Sequence, residues 1–402
     1  MRTACRIPLP LMLLTGVATA HAQSSATLYG ALDDSLQFVH NANPHNDNLW
    51  TLAGGNLHNN RWGLKGVEDL GGGLSAIFQL EAGFSINNGA SSSYQTGTKL
   101  FGGKAWVGLS DNRFGTLTFG RQFDPVVDLV QPLTADNFFG GTFTTPGDVD
   151  NNDNSSRANN AVKYASPVLA GFQFETMYAF GGVAGSTGSG QTWSAAATYG
   201  TRPFSVAAGY VRMDNASTFA GRGFVPPAPG APGTPPGWGT GVTSDATFIS
   251  IINLGYASAK SVGIGSIAAQ YVAGQFTFNV RYSNAQYKPD GFSAFASTER
   301  FNVAAAYVGY QATPAALLGL GYTYTHGAGD TSATYNQISL GADYSLSKRT
   351  TVYLIGAYQH ANGTQRIDET HTATAKASVG SYGYTSGSSS QEVISLGFRH
   401  TF

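Results

Sequence analysis

From Ala26 to the carboxyl terminus the chain breaks into segments of about ten residues with alternating polar and apolar positions, and the connections between them are in turn short and long. Short turns fall at 68–72, 111–113, 166–168, 200–202, 273–274, 312–314 and 347–349. Longer polar stretches lie near 40–58, 87–100, 123–157, 181–190, 214–262, 288–298, 327–333 and 362–390. Seven short turns and eight long loops make fifteen connections, and hence sixteen strands. The segment 275–283 sets Phe276, Phe278, Val280 and Tyr282 on one face against Thr277, Asn279, Arg281 and Ser283 on the other. Segments 171–180 and 335–346 alternate in the same way. A soluble sandwich also alternates. An even strand number, with short turns at one end and long loops at the other, belongs instead to a closed barrel that crosses a membrane. The expected fold is all-β: a 16-stranded antiparallel transmembrane β-barrel.

Composition supports a surface that faces lipid. Charged residues are 11% of the chain, where about 25% is usual for a soluble protein, while Tyr and Phe number 20 and 24. After the N-terminus no apolar run reaches the ~18 residues that a helical span needs. The formal net charge of -1 gives no reason to expect nucleic acid as a partner. Arg2 and Arg6, the apolar stretch 7–17 and the Ala20-His21-Ala22 motif read as a cleaved export signal over 1–22, which leaves 23–402 as one barrel domain. Cys5, the one cysteine, precedes that apolar stretch, so the mature chain carries no thiol.

Two regions bear on closure and length. In the last segment Ile394, Leu396, Phe398, His400 and the terminal Phe402 share one parity. Such a strand closes the barrel against the first one, so that neither remains an open edge. Residues 214–262 begin with a run containing Pro226, Pro227, Pro229, Pro232, Pro235 and Pro236, which cannot be a strand. The apolar stretch Phe248 to Tyr256 would make the strand count odd, so it is assigned to a long external loop packed on the rim.

The stretch 115–164 carries the candidate site. A strand runs into a loop of about thirty residues and returns as another strand. A loop of that length inside a compact domain is expected to be functional, and here it is expected to fold into the lumen and narrow it. Fixed charges at a narrow point bias which ions pass. Parity nominates a basic wall: Arg61 and Lys65 opposite Trp62 and Leu64, Lys104 opposite Ala105 and Val107, and Arg157 with Lys163. Arg121 has the parity of lipid-facing Leu117 and Phe119, so a bulge is expected there to turn it inward. Asp124, Asp128 and Asp136 on the loop, braced by inward Glu81, are expected to face that wall. With the bases on rigid strands and the acids on a loop, anions are expected to be preferred. The run Asp148-x-Asp150-x-Asn152 begins like a calcium loop, but Asp153 stands where the turn glycine belongs and Asn159 where the bidentate glutamate belongs. An EF-hand is rejected; Asp148, Asp150 and Asp153 stay candidates for a divalent cation. No cofactor is called for, and H-E-x-x-H, G-x-S-x-G and P-loop signatures are missing.

Several stretches resemble the general porins of Gram-negative bacteria, in particular the β-proteobacterial type. They are Thr27-Leu-Tyr-Gly30, Arg61-Trp-Gly-Leu-Lys-Gly-Val-Glu-Asp-Leu-Gly71, Ala76-Ile-Phe-Gln-Leu-Glu-Ala-Gly-Phe84, Trp106-Val-Gly-Leu109, Phe114-Gly-Thr-Leu-Thr-Phe-Gly-Arg-Gln122, Asn159-Asn-Ala-Val-Lys-Tyr164 and the terminal phenylalanine. The resemblance implies a trimeric outer-membrane barrel whose third long loop forms a constriction, with passive diffusion of small hydrophilic solutes. It also implies that Arg121 lines the constriction. The partners it implies are outer-membrane lipid, lipopolysaccharide and the barrel-assembly machinery, the last through the C-terminal strand. Alternative readings are a substrate-selective channel of the same fold and a barrel-anchored adhesin or enzyme.

Overall fold

A computed structural model describes residues 24–92, 99–222, 237–239, 241–245, 247–368 and 371–402. The segment expected to be an export signal, residues 1–22, and the proline run at 226–236 lie outside the described residues. Sixteen antiparallel strands form the wall. In chain order they are β1 (Ser25–His40), β2 (Arg61–Gly71), β3 (Leu74–Phe84), β4 (Lys104–Asp111), β5 (Gly115–Gln122), β6 (Arg157–Ala165), β7 (Phe172–Ala179) and β8 (Thr192–Thr201). They continue as β9 (Phe204–Asp214), β10 (Ser261–Ala273), β11 (Phe276–Lys288), β12 (Glu299–Thr313), β13 (Ala316–Ala328), β14 (Ser332–Ser345), β15 (Thr350–Arg366) and β16 (Ser390–Thr401). Each pairs with its chain neighbour, and β1 pairs with β16 from Ala31↔Thr401 to His40↔Glu392. The expected sixteen-strand barrel is therefore what the chain forms.

Period two turns the usual burial pattern inside out. In β14 to β16, Leu340, Leu354 and Leu396 are exposed on the outer face, while Gln337, Gln359 and Ser395 are buried within. The terminal Phe402 completes the closure. Its N–H donates to the Gly30 carbonyl at 3.1 Å, and the Gly30 N–H donates back at 3.0 Å. A Cβ at Gly30 would lie 2.4 Å from the Phe402 ring, so only glycine leaves the ring its place.

The third long loop, L3 (residues 123–156), folds into the lumen through short helical turns at Pro125–Leu129 and Asp136–Phe139. It docks on the far wall in three ways. Phe139 and Phe143 stack at 4.9 Å over a floor of inward glycines, Gly319, Gly321 and Gly341. The Gln337 side chain donates to the carbonyls of Thr142 and Thr144 at 3.0 and 3.1 Å. The Tyr287 hydroxyl donates to the Val149 carbonyl at 2.7 Å. A Cβ at Gly341 would stand 2.6 Å from the Phe139 ring. Gly341→Val is therefore expected to weaken L3 docking by about 1–3 kcal/mol through overpacking, read as larger open-channel current noise. Noise equal to wild type would show that Phe139 does not anchor the loop.

Phe248 to Tyr256 is not a strand, in line with its loop assignment. It packs inside the mouth of the barrel, however, and not on the rim alone. Ile252 and Tyr256 are buried with Val149 of L3 and with Tyr287, Phe301 and Tyr335 of the wall. This apolar cluster fills the side of the mouth near β9 to β15. The open part of the lumen runs along β1 to β7.

Candidate functional site

Two cavities lie on that side, of about 370 and 380 Å³. The upper one, towards the long loops, is lined by Arg61, Glu81, Lys104 and Arg157 from the wall and by Asp136 and Asp153 from L3. The lower one, towards the short turns, is lined by Lys104, Lys163, Glu175 and Asp128. Lys104 and Phe123 line both, so they mark the neck between them. There the Lys104 ammonium stands 4.1 Å from the centre of the Phe123 ring, and the Arg157 guanidinium lies 5.3 Å from the same ring. The aromatic face holds two cations near each other, each by cation–π attraction.

The strands position the wall charges as period two requires. Arg61 and Glu81, inward on β2 and β3, approach to 3.5 Å, and the Tyr29 hydroxyl donates to Glu81 at 3.0 Å. Lys163 on β6 forms an ion pair with Asp128 of L3 and lies 3.8 Å from Glu175. Two nominated bases line neither cavity. Lys65 is exposed lower in the lumen, 5.5 Å from the Tyr29 ring centre. The irregularity anticipated at Arg121 exists, because the β5–β6 register shifts between Gly120 and Gln122. The extra residue lies on β6, where Asn160 takes a φ of 53°. Arg121 stays opposite Ala105 and keeps its lipid-side parity. Its guanidinium is buried against Asp245 at 2.8 Å, Asn159 at 2.7 Å and the Gly102 carbonyl at 2.8 Å. A protein cluster thus solves the problem of an outward arginine, and Arg121 does not reach the pore.

The L3 acids separate into different tasks. Asp124 accepts from the Val126 N–H at 2.8 Å and caps the first helical turn, as short acids do at an N-cap; it lines neither cavity. Asp150 is buried in an ion pair with Arg281 and also accepts from Ser283. Asp148 accepts from the Asp153 N–H at 2.9 Å and from the N–H and hydroxyl of Ser155. Asp148 thus serves inside the loop, while Asp150 ties the loop to the wall. Among the described residues no three His, Cys, Asp or Glu side chains are grouped to hold a metal ion. The divalent-cation reading of Asp148, Asp150 and Asp153 is set aside, because these three carboxylates are not grouped around one point and each has its own donor: Ser155 for Asp148, Arg281 for Asp150 and Ser381 for Asp153.

Burial changes the charge that L3 shows to the lumen. It pushes Asp148 up to about 8, with the charges of Asp153 and Asp150 adding to the effect. It pushes Asp136 up to about 6 against the Gln131 hydrogen bond, and raises Asp153, with the Asp136 charge next. Both acids thus favour the neutral form more than a surface carboxylate does. Burial pushes His58, in the β1–β2 loop, down to about 3, helped by Arg399 and Arg61, so it stays neutral.

Sequence reasoning did not single out His58, Asn59, Ser381 and Tyr382, which also line the upper cavity. They lie in loops, where no period marks an inward position. Arg281 was legible: it belongs to the inward set of its strand, opposite Val280 and Tyr282.

Comparisons with known proteins agree with this geometry. An outer membrane porin of Bordetella pertussis is 30% identical over 378 residues, covering 86% of this chain and 92% of its own. Outer membrane porin protein 32 of Delftia acidovorans is 34% identical over 178 residues, 42% of this chain and 48% of its own. Among solved structures, an anion-selective porin from Comamonas acidovorans superimposes with a TM-score of 0.69 at 22% identity, covering 94% of this chain and all of its own. The trimer form of an outer membrane protein of Vibrio cholerae gives 0.62 at 17% identity, covering 94% and 99%. The sequence pattern of the family described as Gram-negative porin matches residues 11–364, so the chain belongs to the Gram-negative porins, outer-membrane channels and not enzymes.

Proposed function

We propose that the chain is an open, water-filled channel for passive diffusion of ions and small hydrophilic solutes, with anions favoured at a neck formed by Lys104 and Phe123. The observation that supports this reading is the pair of cavities that share Lys104 and Phe123 in their lining, with Arg61 and Arg157 in the upper one and Lys163 in the lower. Several of the L3 acids are engaged elsewhere: Asp124 caps a helix, Asp150 is tied to Arg281 and Asp128 to Lys163, and burial raises Asp136 and Asp153 towards their neutral forms. Glu81 balances Arg61, and Asp128 and Glu175 balance Lys163, so the bias towards anions rests on Lys104 and Arg157 at the Phe123 ring. Porins of this family are commonly trimers, and a homotrimer in outer-membrane lipid, facing lipopolysaccharide, is the assembly we propose. Its C-terminal strand, ending in Phe402, is the segment we expect the barrel-assembly machinery to handle.

Bilayer conductance under a tenfold salt gradient tests the channel directly. Large steady current steps are expected, with a reversal potential of the anion-selective sign. Lys104→Glu changes the neck by two charges. At about 1 kcal/mol per pair of unit charges ~4 Å apart in water, the anion-to-cation permeability ratio is expected to fall about fivefold or more. Lys65→Glu, lower in the lumen, should shift it much less. Equal shifts from both substitutions would remove the neck from this position.

A further inference from the structure

One tryptophan faces the water. In a barrel of this kind tryptophan belongs to the girdles against lipid, and Trp62 and Trp193 are exposed on that outer face. Trp106 is placed otherwise. It shares the inward row of β4 with Lys104 and Gly108, while Ala105, Val107 and Leu109 face outward. It is half-buried and lines the lower cavity, just below the neck. Little covers its ring. Gly120 stands opposite it on β5, and Gly108 follows it in the inward row. Lys104, the residue before it in that row, turns to the Phe123 ring instead. The indole N–H has no hydrogen-bond partner among the described residues.

The rest of the cavity is polar, and its charges balance. Lys163 is held between Asp128, its ion-pair partner, and Glu175 at 3.8 Å. The side-chain amides of Gln79 and Gln173 donate to the Tyr29 hydroxyl at 2.6 Å and to the Ser166 carbonyl at 3.3 Å. Their side-chain oxygens remain as acceptors. Thr118 donates to Gln122 at 2.6 Å and can still accept. An aromatic surface with a few convergent hydrogen-bonding groups is the make-up of a small-molecule site, and about 380 Å³ holds one sugar ring. We propose that the lower cavity is a subsite for a neutral pyranose sugar, with the C–H face of the ring on Trp106 and its hydroxyls on Gln79, Gln173 and Thr118. A pyranose has the two surfaces that this wall offers to match, an apolar face and a rim that both donates and accepts. An acyclic polyol has the rim without the face. An aromatic acid has the face, but the cation that would pair with it at Lys163 is already taken. Contact from one wall alone keeps the hold weak enough for release, as passage requires. The inference rests on the open-channel reading and names one class of solute.

The test is conductance of the purified protein in a planar bilayer, with methyl β-D-glucopyranoside, sorbitol or benzoate added on the short-turn side. The glycoside is expected to lower the current along a saturating curve, and sorbitol only in proportion to its concentration. Trp106→Ala is expected to raise the half-saturating concentration about tenfold, the loss of about 1.4 kcal/mol of contact, while Trp106→Phe keeps most of the effect. Identical curves for glycoside and sorbitol would overturn the inference, and so would saturation by benzoate alone. An unchanged curve in a Trp106→Ala protein that still shows heat-modifiable migration would also overturn it. Indole fluorescence gives a second reading that does not need the alanine variant. The glycoside should move the wild-type emission to shorter wavelength as Trp106 loses water, and Trp106→Phe should lack that shift. No shift in wild type, or one that survives in Trp106→Phe, would count against the site. Steady current without saturation by the glycoside would overturn this inference and leave the channel reading standing. An emission shift in a protein that carries no current would count against the channel reading alone.

Discussion

Arg281→Ala frees L3 from the far wall and widens the pore, seen as a larger single-channel conductance with increased current noise. The Asp150 side chain is fully buried and that of Arg281 is 4% exposed. Arg281 also donates to the Thr145 hydroxyl at 2.5 Å, and Ser283 donates to Asp150, so four side chains from L3 and β11 form one knot. Removing one partner of a buried ion pair leaves an uncompensated charge and costs about 3–5 kcal/mol. The barrel does not depend on this knot, because its strands are joined by backbone hydrogen bonds. The expected loss therefore falls on the loop, and heat-modifiable migration on gels should stay wild type. Replacing both partners by leucine removes the stranded charge and is expected to restore much of the docking. Wild-type conductance in Arg281→Ala would mean that Tyr287, Gln337 and the Phe139 seat hold L3 without the ion pair.

The wall was legible in the sequence because strand parity is set by local geometry. Counting by two puts Arg61, Glu81, Lys104 and Lys163 inside, and they are inside. Parity fails where a strand gains a residue, and the sequence does not say which of two paired strands gains it. At Arg121 the extra residue fell on β6, at Asn160, so the arginine kept its outward parity. The loop was less legible for a different reason. Asp124, Asp128, Asp136 and Asp150 are alike as residues, and distant partners decide their tasks: Lys163 for Asp128, Arg281 for Asp150. The apolar character of Phe248 to Tyr256 was plain, but its destination depended on Tyr287 and Phe301, which belong to other strands.

The same burial makes L3 docking depend on pH, with a sign opposite to that of an ordinary surface acid. Asp148 is pushed up to about 8 in the docked loop and Asp136 to about 6. In a released loop each would titrate near the usual ~3.9. Between those values the docked state binds more protons than the released one, so docking weakens as pH rises. The effect begins near pH 4 and is complete once pH passes about 8. Its expected size is on the order of 5 kcal/mol, large enough to compete with the Arg281 knot. Open-channel noise is therefore expected to grow from pH 5 to pH 9. Asp148→Asn removes the largest contributor while keeping a group of the same shape, so its noise should stay low across the range. A pH profile unchanged by Asp148→Asn would place the titration elsewhere in the lumen.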